Sequence, residues 1–331
     1  MKNNIYVITN DKISEDDKGN LFGPNNDLDN ILNSLKLKFE IFLISRKIKK
    51  KNKFQIKKVK IFSKKNFQKN MKIFMISLTP YNFISLFFLI YIKRANINGH
   101  IYLRSDGFLE YKYRYWWFGY FAYYLMFSFV KRKLEIISCS DSFTNIKSKD
   151  IVYPSEIDDE WLLNREEAAL DKVRFLYVGR FTFDKGGSFL RKLFLEKNYK
   201  NFKFEIAGIE KKTFGKNENS GFNFYGVVSE KKEMIRIYDK CNIFLLPSLI
   251  EGFPKVINES LARLRPVIIF NEINYVMNNR EGVFECKRDI QELFKTSEYI
   301  IKNYKEIQKR ILGDKHYTKK EFQEKILEIV Q

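Results

Sequence analysis

Two glutamates stand eight positions apart in the run 247–262, separated by a segment that favours a helix. Residues 243–246 have the unbroken apolar pattern of a buried strand, and Pro254 suits the first turn of a helix, where its missing N–H is not needed. Glu251 is therefore expected just before a helix N-terminus and Glu259 inside that helix. The free N–H groups of a helix N-terminus form an anion site. Carboxylates beside such a site favour a ligand that carries both phosphates and hydroxyls, as a nucleotide-sugar does.

A second segment supplies fixed cations. Residues 173–178 predict a buried strand, which is followed by Gly179 and Arg180 and then by Lys185. A nucleoside diphosphate gains negative charge as it leaves a sugar, and cations aimed at that charge lower the barrier. The alternative for both residues is an ordinary surface cation, since the chain has 60 lysines and arginines.

These runs resemble the retaining GT-B glycosyltransferases, in particular glycosyltransferase family 4, also called glycosyl transferases group 1. Besides the Glu-x7-Glu run and the Gly-Arg…Lys-Gly element, the segments 204–208 and 224–228 resemble family strands that end in glycine. The four ordered matches lie within residues 173–282. The resemblance implies an α/β protein of the GT-B class, with two Rossmann-like doubly wound parallel-sheet domains facing across a cleft.

The resemblance also implies roles for individual residues. Glu251 would bind hydroxyls of the donor sugar, Glu259 would hold the ribose, and Arg180 and Lys185 would act on the diphosphate. Without the family, Glu259 fits a solvated helix face and Glu251 a charge favoured near a helix N-terminus. The implied donor-binding residues are Gly179, Arg180, Lys185, Gly208, Val228, Glu251, Gly252, Phe253, Lys255, Val256 and Glu259.

The N-terminal half departs from the family pattern. In the family the first strand leads to a glycine-rich loop near the diphosphate, and the candidates here are Gly19 and Gly23, within a polar loop predicted at 10–26. Asp106 follows a predicted strand and is the candidate catalytic group on the acceptor side, as positioner or base. Its alternative is an Asp-Gly turn without chemistry. Leu264 occupies a turn where the family often has a glycine, which predicts altered packing.

No metal site is expected. Asp27 and Asp29 spell the Asp-x-Asp metal motif of another glycosyltransferase class, but they open a predicted helix, where acidic residues are favoured by capping and by the helix dipole. We therefore expect no cofactor apart from the nucleotide-sugar co-substrate, with Arg180, Lys185 and a helix end in place of a cation.

Alternating strands and helices predict a parallel sheet in each half of the chain. The expected division is an acceptor-side domain at 1–157, a donor domain at 158–310 and a C-terminal helix at 311–331 that packs back on the first domain. Strands are predicted at 5–9, 39–45, 72–77, 100–104, 134–138, 173–178, 203–207, 222–225, 242–246 and 266–269. Helices are predicted near 28–35 and at 81–93, 115–130, 187–195, 230–239 and 254–264, and the tail from 283 is predicted to be helical.

The formal net charge of +20 suggests an anionic partner. Part of it fits the codon bias of an AT-rich genome. The apolar run 73–92 contains Pro80 and Asn82, so we interpret it as a strand and a buried helix rather than a span. The aromatic segment 115–130 has basic flanks and fits an interfacial or a core helix. Three scattered cysteines predict buried free thiols.

The sequence thus predicts a glycosyltransferase that transfers a sugar to a glycan or lipid-linked acceptor in cell-envelope polysaccharide or lipopolysaccharide biosynthesis. We expect it in the cytoplasm, peripheral on the inner face of the cytoplasmic membrane, with an anionic membrane surface and not nucleic acid as a partner. The alternatives are a catalytically inactive GT-B scaffold and a basic nucleic-acid-binding protein, although no known nucleic-acid-binding motif is present.

Overall fold

The computed structural model describes residues 2–24, 26–48, 54–143, 145–168, 170–196, 202–215, 220–277 and 279–331. The chain divides into two compact units. The first unit is Met1–Pro154 together with Lys320–Gln331, and the second is Ser155–Lys319. The first crossing between the units therefore follows Pro154 rather than residue 157, and the last helix belongs to the first unit.

The first unit is a sheet flanked by helices. Its strands are β1 (Asn3–Glu15), β2 (Leu21–Gly23), β3 (Phe39–Lys47), β4 (Phe54–Ile56), β5 (Lys60–Ile61), β6 (Asn70–Ile76), β7 (Asn96–Leu103), β8 (Glu135–Ser138) and β9 (Asp150–Ile151). Its helices are α1 (Asn26–Lys36), α2 (Pro80–Phe87, continued by a π-helical turn at Phe88–Ile92), α3 (Gly107–Val130) and the C-terminal Lys319–Val330. The parallel strands run in the order β5-β3-β1-β6-β7-β8-β9.

The loop predicted at 10–26 is wrong in part. β1 continues to Glu15 and pairs antiparallel with β2, which in turn pairs with β4. The turn between β1 and β2 is made by Asp16, whose carboxylate accepts from the N–H groups of Lys18 and Asn20 at 3.0 and 2.8 Å. Gly19 adopts φ +77° in this turn. Asp favours turns because its side chain binds nearby backbone N–H groups, and Gly favours them because it adopts positive φ. Here both residues form the turn of a β-hairpin where a loop was predicted.

The second unit has the doubly wound arrangement that the sequence predicted. Its strands are β10 (Val173–Val178), β11 (Phe202–Ala207), β12 (Phe222–Gly226), β13 (Ile243–Leu246), β14 (Val267–Phe270) and β15 (Val283–Cys286), and its helices are α4 (Asp159–Leu162), α5 (Gly187–Leu195), α6 (Lys231–Lys240), α7 (Lys255–Ala262), α8 (Ile290–Lys302) and α9 (Tyr304–Gly313). The strands of this all-parallel sheet lie in the order β12-β11-β10-β13-β14-β15. The C-terminal helix of the first unit is α10. The tail is not helical throughout, since β15 adds an edge strand before α8.

Two arginines at the end of α7 hold the first segment of the second unit. Arg263 is 1% exposed and donates to the carboxylate of Asp239 at 2.8 and 2.9 Å, and to the carbonyl oxygens of Trp161, Leu163 and Asn164. Arg265 is equally buried and donates to four more carbonyl oxygens. A buried guanidinium requires such partners, because an unpaired buried charge is costly.

Two sequence predictions about burial are confirmed, and a third is wrong in part. The helix α1 buries Leu28, Ile31, Leu32 and Leu35. Cys139, Cys241 and Cys286 are free and buried. No helix in the described part of the chain is long and apolar enough to cross a bilayer, and the run 73–92 forms the end of β6 followed by α2 and its π-helical turn. This helix is not the buried helix that the sequence predicts, because several of its apolar side chains face solvent while Leu86 and Leu89 are buried.

Candidate functional site

The order of the second sheet places its switch point between β10 and β13. In an open parallel sheet, ligands bind beyond the carboxyl ends of the strands at this point. The segments that follow the two strands meet there. Gly186 has φ +78°, and a Cβ atom on it would lie 2.1 Å from the carbonyl oxygen of Pro247. Only glycine therefore allows this close approach of the two loops.

The predicted cation Lys185 and the predicted carboxylate Glu251 are brought together at this point. Lys185 Nζ donates to Glu251 Oε1 at 2.7 Å, and Ser248 Oγ donates to the same oxygen at 2.6 Å. The Glu251 side chain is 9% exposed and that of Lys185 is 26% exposed. The pair is thus partly accessible, with a fixed carboxylate beside a cation.

Residues far along the chain hold the loop that carries Glu251. The hydroxyl of Tyr275 accepts from the N–H of Glu251 at 3.0 Å and donates to its carbonyl oxygen at 2.9 Å. Arg288 donates to the carbonyl oxygens of Pro247 and Ser248 at 2.7 and 2.8 Å. Sequence reasoning missed Ser248, Tyr275 and Arg288. Ser248 stands inside the recognised run, whereas nothing local marks the other two.

Arg180 lies on the loop after β10. Its side chain is exposed, so its guanidinium is open to an anionic ligand. The buried Tyr177 hydroxyl donates to the carbonyl oxygen of Arg180 at 2.8 Å. Burial raises the pKa of Tyr177, with a smaller contribution from Glu251, so its phenol remains a donor. Tyr177 therefore fixes the backbone from which Arg180 projects.

Glu259 is held from a neighbouring helix. Tyr238 of α6 is fully buried and donates to Glu259 Oε2 at 2.9 Å. Burial raises the pKa of Tyr238 well above its usual value, and the charge of Glu259 acts in the same direction. The hydroxyl thus orients one carboxylate oxygen of Glu259, which is itself half-buried on α7. The sequence indicated Glu259 but not Tyr238.

The remaining predicted donor residues surround this loop and helix. Gly208, at the end of β11, has φ +90°, and a Cβ atom there would lie 2.4 Å from the carbonyl oxygen of Gly179. This contact between the loops explains Gly208, whereas a Cβ atom on Gly179 would lie 2.7 Å from the Tyr177 hydroxyl. Lys255 pairs with Glu156 at 2.9 Å, and the Phe253 ring meets the Tyr317 ring edge-on at 6.1 Å. Gly252 and Val256 are half-buried beside them, and Val228 is half-buried after β12.

The candidates in the first unit have separate positions. Asp106 follows β7 and caps α3, accepting from the N–H groups of Phe108 and Leu109 at 2.9 and 3.2 Å. Burial raises the pKa of Asp106, and these two backbone donors oppose the increase. The Asp-Gly turn is therefore a helix cap, and an acceptor-side role for Asp106 stays a prediction. Gly19 lies in the hairpin turn that follows β1 and Gly23 ends β2, and a position of either glycine near the diphosphate stays a prediction.

The acidic pair considered as a metal motif has a structural explanation. Asp27 and Asp29 lie in the first turn of α1, and Asp29 pairs with Lys36 at 3.4 Å. Within the described ranges, no group of three His, Cys, Asp or Glu residues is arranged to hold a metal ion.

Comparison with known proteins points to glycosyltransferases. Residues 172–303 match the sequence profile of the family "Glycosyl transferases group 1". An uncharacterized glycosyltransferase of Haemophilus influenzae is 27% identical over 146 residues, which are 41% of this chain and 41% of that protein. The match thus spans about two fifths of this curated relative.

Solved structures resemble the whole chain. A glycosyltransferase from Rickettsia africae superposes with a TM-score of 0.61 at 14% identity, covering 99% of this chain and 98% of the other. HepE of Anabaena, solved in complex with UDP and glucose, gives a TM-score of 0.63 at 10% identity, covering 98% of both chains. At such identities the likeness concerns the fold. The chain has the GT-B fold, and its residues 172–303 carry the sequence pattern of the group 1 glycosyl transferases.

Proposed function

We propose that this protein is a glycosyltransferase that moves a sugar from a nucleotide-sugar to a glycan or lipid-linked acceptor. The observation that carries the proposal is the cluster of Lys185, Glu251 and Ser248 at the switch point, with Arg180 exposed beside it. HepE was solved with UDP-glucose, and this supports a nucleotide-sugar as donor for the present chain.

The geometry suggests how the residues would divide the work. Arg180 and Lys185 provide positive charge where the diphosphate of a leaving nucleotide would develop negative charge. Glu251 would accept hydrogen bonds from sugar hydroxyls. Its carboxylate is fixed by Ser248, and its backbone N–H and carbonyl are both hydrogen-bonded to the Tyr275 hydroxyl. Glu259, oriented by Tyr238, would bind the ribose diol. These groups bind and orient, and they need no metal.

The finer parts of the proposal follow the resemblance to glycosyltransferase family 4. We propose that transfer retains the anomeric configuration, that it is metal-independent and that it serves cell-envelope polysaccharide or lipopolysaccharide synthesis at the inner face of a cytoplasmic membrane. The net charge of +20 favours an anionic membrane surface as a partner. The comparisons do not favour an inactive scaffold or a nucleic-acid-binding protein.

Release of a nucleoside diphosphate tests the proposal. The protein is incubated with a panel of nucleotide-sugars and a membrane extract that supplies acceptors. Donor binding is followed in parallel by thermal unfolding, because a ligand at 100 times its dissociation constant stabilises by about 2.7 kcal/mol. The wild-type protein should bind and turn over at least one donor. Binding without turnover in the presence of acceptor would support a scaffold instead.

Two substitutions connect turnover to the cluster. Lys185→Ala should lower kcat by about 100-fold or more, the usual effect of removing a group that stabilises developing charge. Glu251→Gln should lower kcat/KM, because it weakens the hydrogen bonds that sugar hydroxyls would donate to the carboxylate. Lys232→Ala and Glu285→Gln are matched controls, since both side chains are exposed in the same unit. Wild-type turnover by folded Lys185→Ala and Glu251→Gln proteins would refute the assignment of this site.

A further inference from the structure

The helix α2 and its π-helical turn expose an apolar stripe to solvent. Exposed fractions along this stripe are 64% at Ile84, 43% at Phe87, 44% at Phe88, 52% at Tyr91 and 64% at Ile92. These positions are spaced as i, i+3, i+4, i+7 and i+8, which defines one face of a helix. In an ordinary surface helix this apolar face packs on the core and the polar face meets water. Here the face that meets water is itself apolar.

The next helix extends this surface. Exposed fractions on α3 are 72% at Trp116, 53% at Trp117, 63% at Phe118, 56% at Phe121, 48% at Tyr124 and 53% at Leu125. The helix is kinked at Tyr115 and Trp116, and Trp116 has φ +56°. The two helices meet through Phe129 of α3, whose ring lies 5.9 Å from Phe87 and 6.1 Å from Tyr91. We call the exposed residues of both helices the aromatic face.

Both helices end at the same edge of the sheet. Each connects the carboxyl end of one parallel strand to the amino end of the next, from β6 to β7 and from β7 to β8. At this amino edge lies a cavity of about 670 Å³. Its cationic lining residues are Lys72, Lys131, Arg132, Lys133, Lys147 and Lys149. We call it the basic cavity. Three of these cations directly follow α3, and Leu125 of the aromatic face precedes Lys131 by about 9 Å of helix.

The carboxylate that lines the basic cavity is already paired. Glu135 Oε2 accepts from Lys149 at 2.9 Å and lies 2.9 Å from Nε2 of the buried His100. The hydrogen bond from Lys149 lowers the pKa of Glu135, so this group stays ionised and bound. Lys72 donates to the main-chain oxygen of Gln331 at 3.0 Å. Lys131, Arg132 and Lys133 are exposed at the rim and leave the cavity with a large excess of positive charge.

We propose that the aromatic face and the basic cavity together form a docking surface for an anionic phospholipid bilayer. The aromatic face would insert at the level of the headgroups, where amphipathic rings are favoured, and the basic cavity would hold headgroup phosphates. A contiguous apolar surface of this kind on a folded unit marks an interaction site. The adjoining positive charge selects an anionic bilayer over an uncharged partner. The inference deepens the membrane part of the proposed function and rests on it.

Co-sedimentation with vesicles tests the basic cavity. Wild-type protein should bind vesicles of phosphatidylcholine mixed with phosphatidylglycerol more tightly than vesicles of phosphatidylcholine alone. The triple variant Lys131→Ala/Arg132→Ala/Lys133→Ala should bind the mixed vesicles about 100-fold less tightly, since each basic residue at an anionic surface contributes about 1 kcal/mol.

A second triple variant removes the same charge elsewhere. Lys57→Ala/Lys64→Ala/Lys65→Ala changes exposed lysines around β5, which lies four strand positions from β7, or about 19 Å. This exceeds the Debye length of about 10 Å at 0.1 M salt, so binding should stay within a few-fold of wild type. Equal losses in the two triple variants would reduce the effect to overall charge and overturn the assigned surface. Full displacement from the vesicles by inorganic phosphate would assign the cavity to a free anion and also overturn it.

The aromatic face has its own variant. Phe88→Ser/Phe121→Ser should lose at least about 10-fold in affinity and all binding that survives high salt, because apolar burial is not screened. Leu37→Ser/Leu312→Ser, at exposed positions of similar accessibility, should bind as wild type does. A dimer in light scattering that the phenylalanine variant dissociates, without vesicle binding by the wild type, would assign the face to a second copy instead.

Donor turnover separates this inference from the enzymatic proposal. Thermal stabilisation by the nucleotide-sugar should be unchanged in the triple and double variants, since the changed residues of the surface belong to the first unit. Vesicle binding that fails while donor turnover persists would refute the docking surface alone. Vesicle binding with the expected variant pattern, but without turnover of any donor, would refute the glycosyltransferase alone.

Discussion

At the scale of single residues, the two glutamates of the Glu-x7-Glu run have different surroundings. Glu251 is fixed by a lysine and a serine from two loops, whereas Glu259 accepts a hydrogen bond from a buried phenol. A carboxylate that binds a diol must present its oxygens in a fixed direction. In the proposed function Tyr238 is therefore a positioning residue, which acts on substrate affinity through Glu259.

Replacing Tyr238 by Phe should raise the KM for the donor several-fold while kcat changes little. Loss of ribose binding affects ground state and transition state equally, and this raises KM alone. Tyr304→Phe is a matched control, because it removes another buried hydroxyl of the same unit, which donates to the Asn242 carbonyl at 2.6 Å. Both variants should lose about 1 kcal/mol of stability. Identical kinetics for the two variants would contradict the positioning role.

His316 of the second unit couples the stability of the protein to pH. Burial lowers the pKa of His316 to about 4, helped by the charges of Arg165 and Arg280 and opposed by Asp314. The unfolded chain has a histidine pKa of about 6.5 and binds a proton first as the pH falls. The free energy of unfolding should therefore decrease from about pH 6.5 to about pH 4.

Urea unfolding of wild type and His316→Gln across this range isolates the effect. The wild-type protein should lose stability relative to the variant as the pH falls, because all other titrating groups are shared. A difference between the two proteins that does not depend on pH would show that the pKa of His316 is the same in the folded and unfolded states.

At the scale of elements, the turn that ends α7 departs from the pattern of the family that this chain resembles. Leu264 has φ +58° and is 9% exposed. A non-glycine residue in the left-handed region carries about 1–2 kcal/mol of strain. Arg263 and Arg265 on either side are held by the Asp239 carboxylate and by carbonyl oxygens. These hydrogen bonds stabilise the turn at Leu264, which a glycine would form without strain.

Substitutions at Leu264 should reverse the usual order of alanine and glycine. Both remove a buried side chain and destabilise the protein, but Leu264→Gly should be about 1 kcal/mol more stable than Leu264→Ala, because glycine adopts positive φ without strain. At Leu261, within α7, Leu261→Gly should be the less stable of the pair by about 0.5–1 kcal/mol. Urea unfolding measures the stability of all four variants. If the alanine variant were more stable than the glycine variant at both positions, Leu264 would not be strained.

At the scale of the whole molecule, our proposals give positively charged residues two separate functions, binding of a diphosphate and binding of lipid headgroups. Arg180 and Lys185 serve the diphosphate, whereas the basic cavity of the first unit serves headgroups. The net charge of +20 does not distinguish these uses, but their positions in the fold do.

Donor turnover should be unchanged by excess EDTA. In the proposed function, Arg180 and Lys185 would supply the positive charge that a divalent ion provides in metal-dependent enzymes. Nucleoside diphosphate release is measured before and after chelation, with manganese or magnesium added back. Activity that disappears in EDTA and returns with either metal would contradict metal independence.

Much of the second unit could be predicted from local pattern. The strand at 173–178 and the helix at 187–195 have the predicted bounds, because their apolar spacing and flanking glycines are local signals. The N-terminal hairpin could not be predicted in this way. The mostly polar residues at 10–15 are typical of a loop, yet they continue β1, since Lys12 and Ile13 pair with β3 and Ser14 and Glu15 pair with β2.

The sequence by itself determined many elements of this protein, the fold class and the residues Arg180, Lys185, Glu251 and Glu259 as site candidates. These depend on neighbours a few positions away and on motifs of fixed spacing. Only the tertiary structure decided that Lys185 pairs with Glu251, that Tyr275 and Arg288 hold its loop and that Tyr238 orients Glu259. It also decided that the apolar residues of α2 and α3 face solvent beside the basic cavity. The physical reason for the first group of contacts is that the strand order places β10 beside β13. The side of a helix that meets solvent depends on which of its faces packs on the sheet. The local spacing of residues in the sequence specifies neither the strand order nor the packed face.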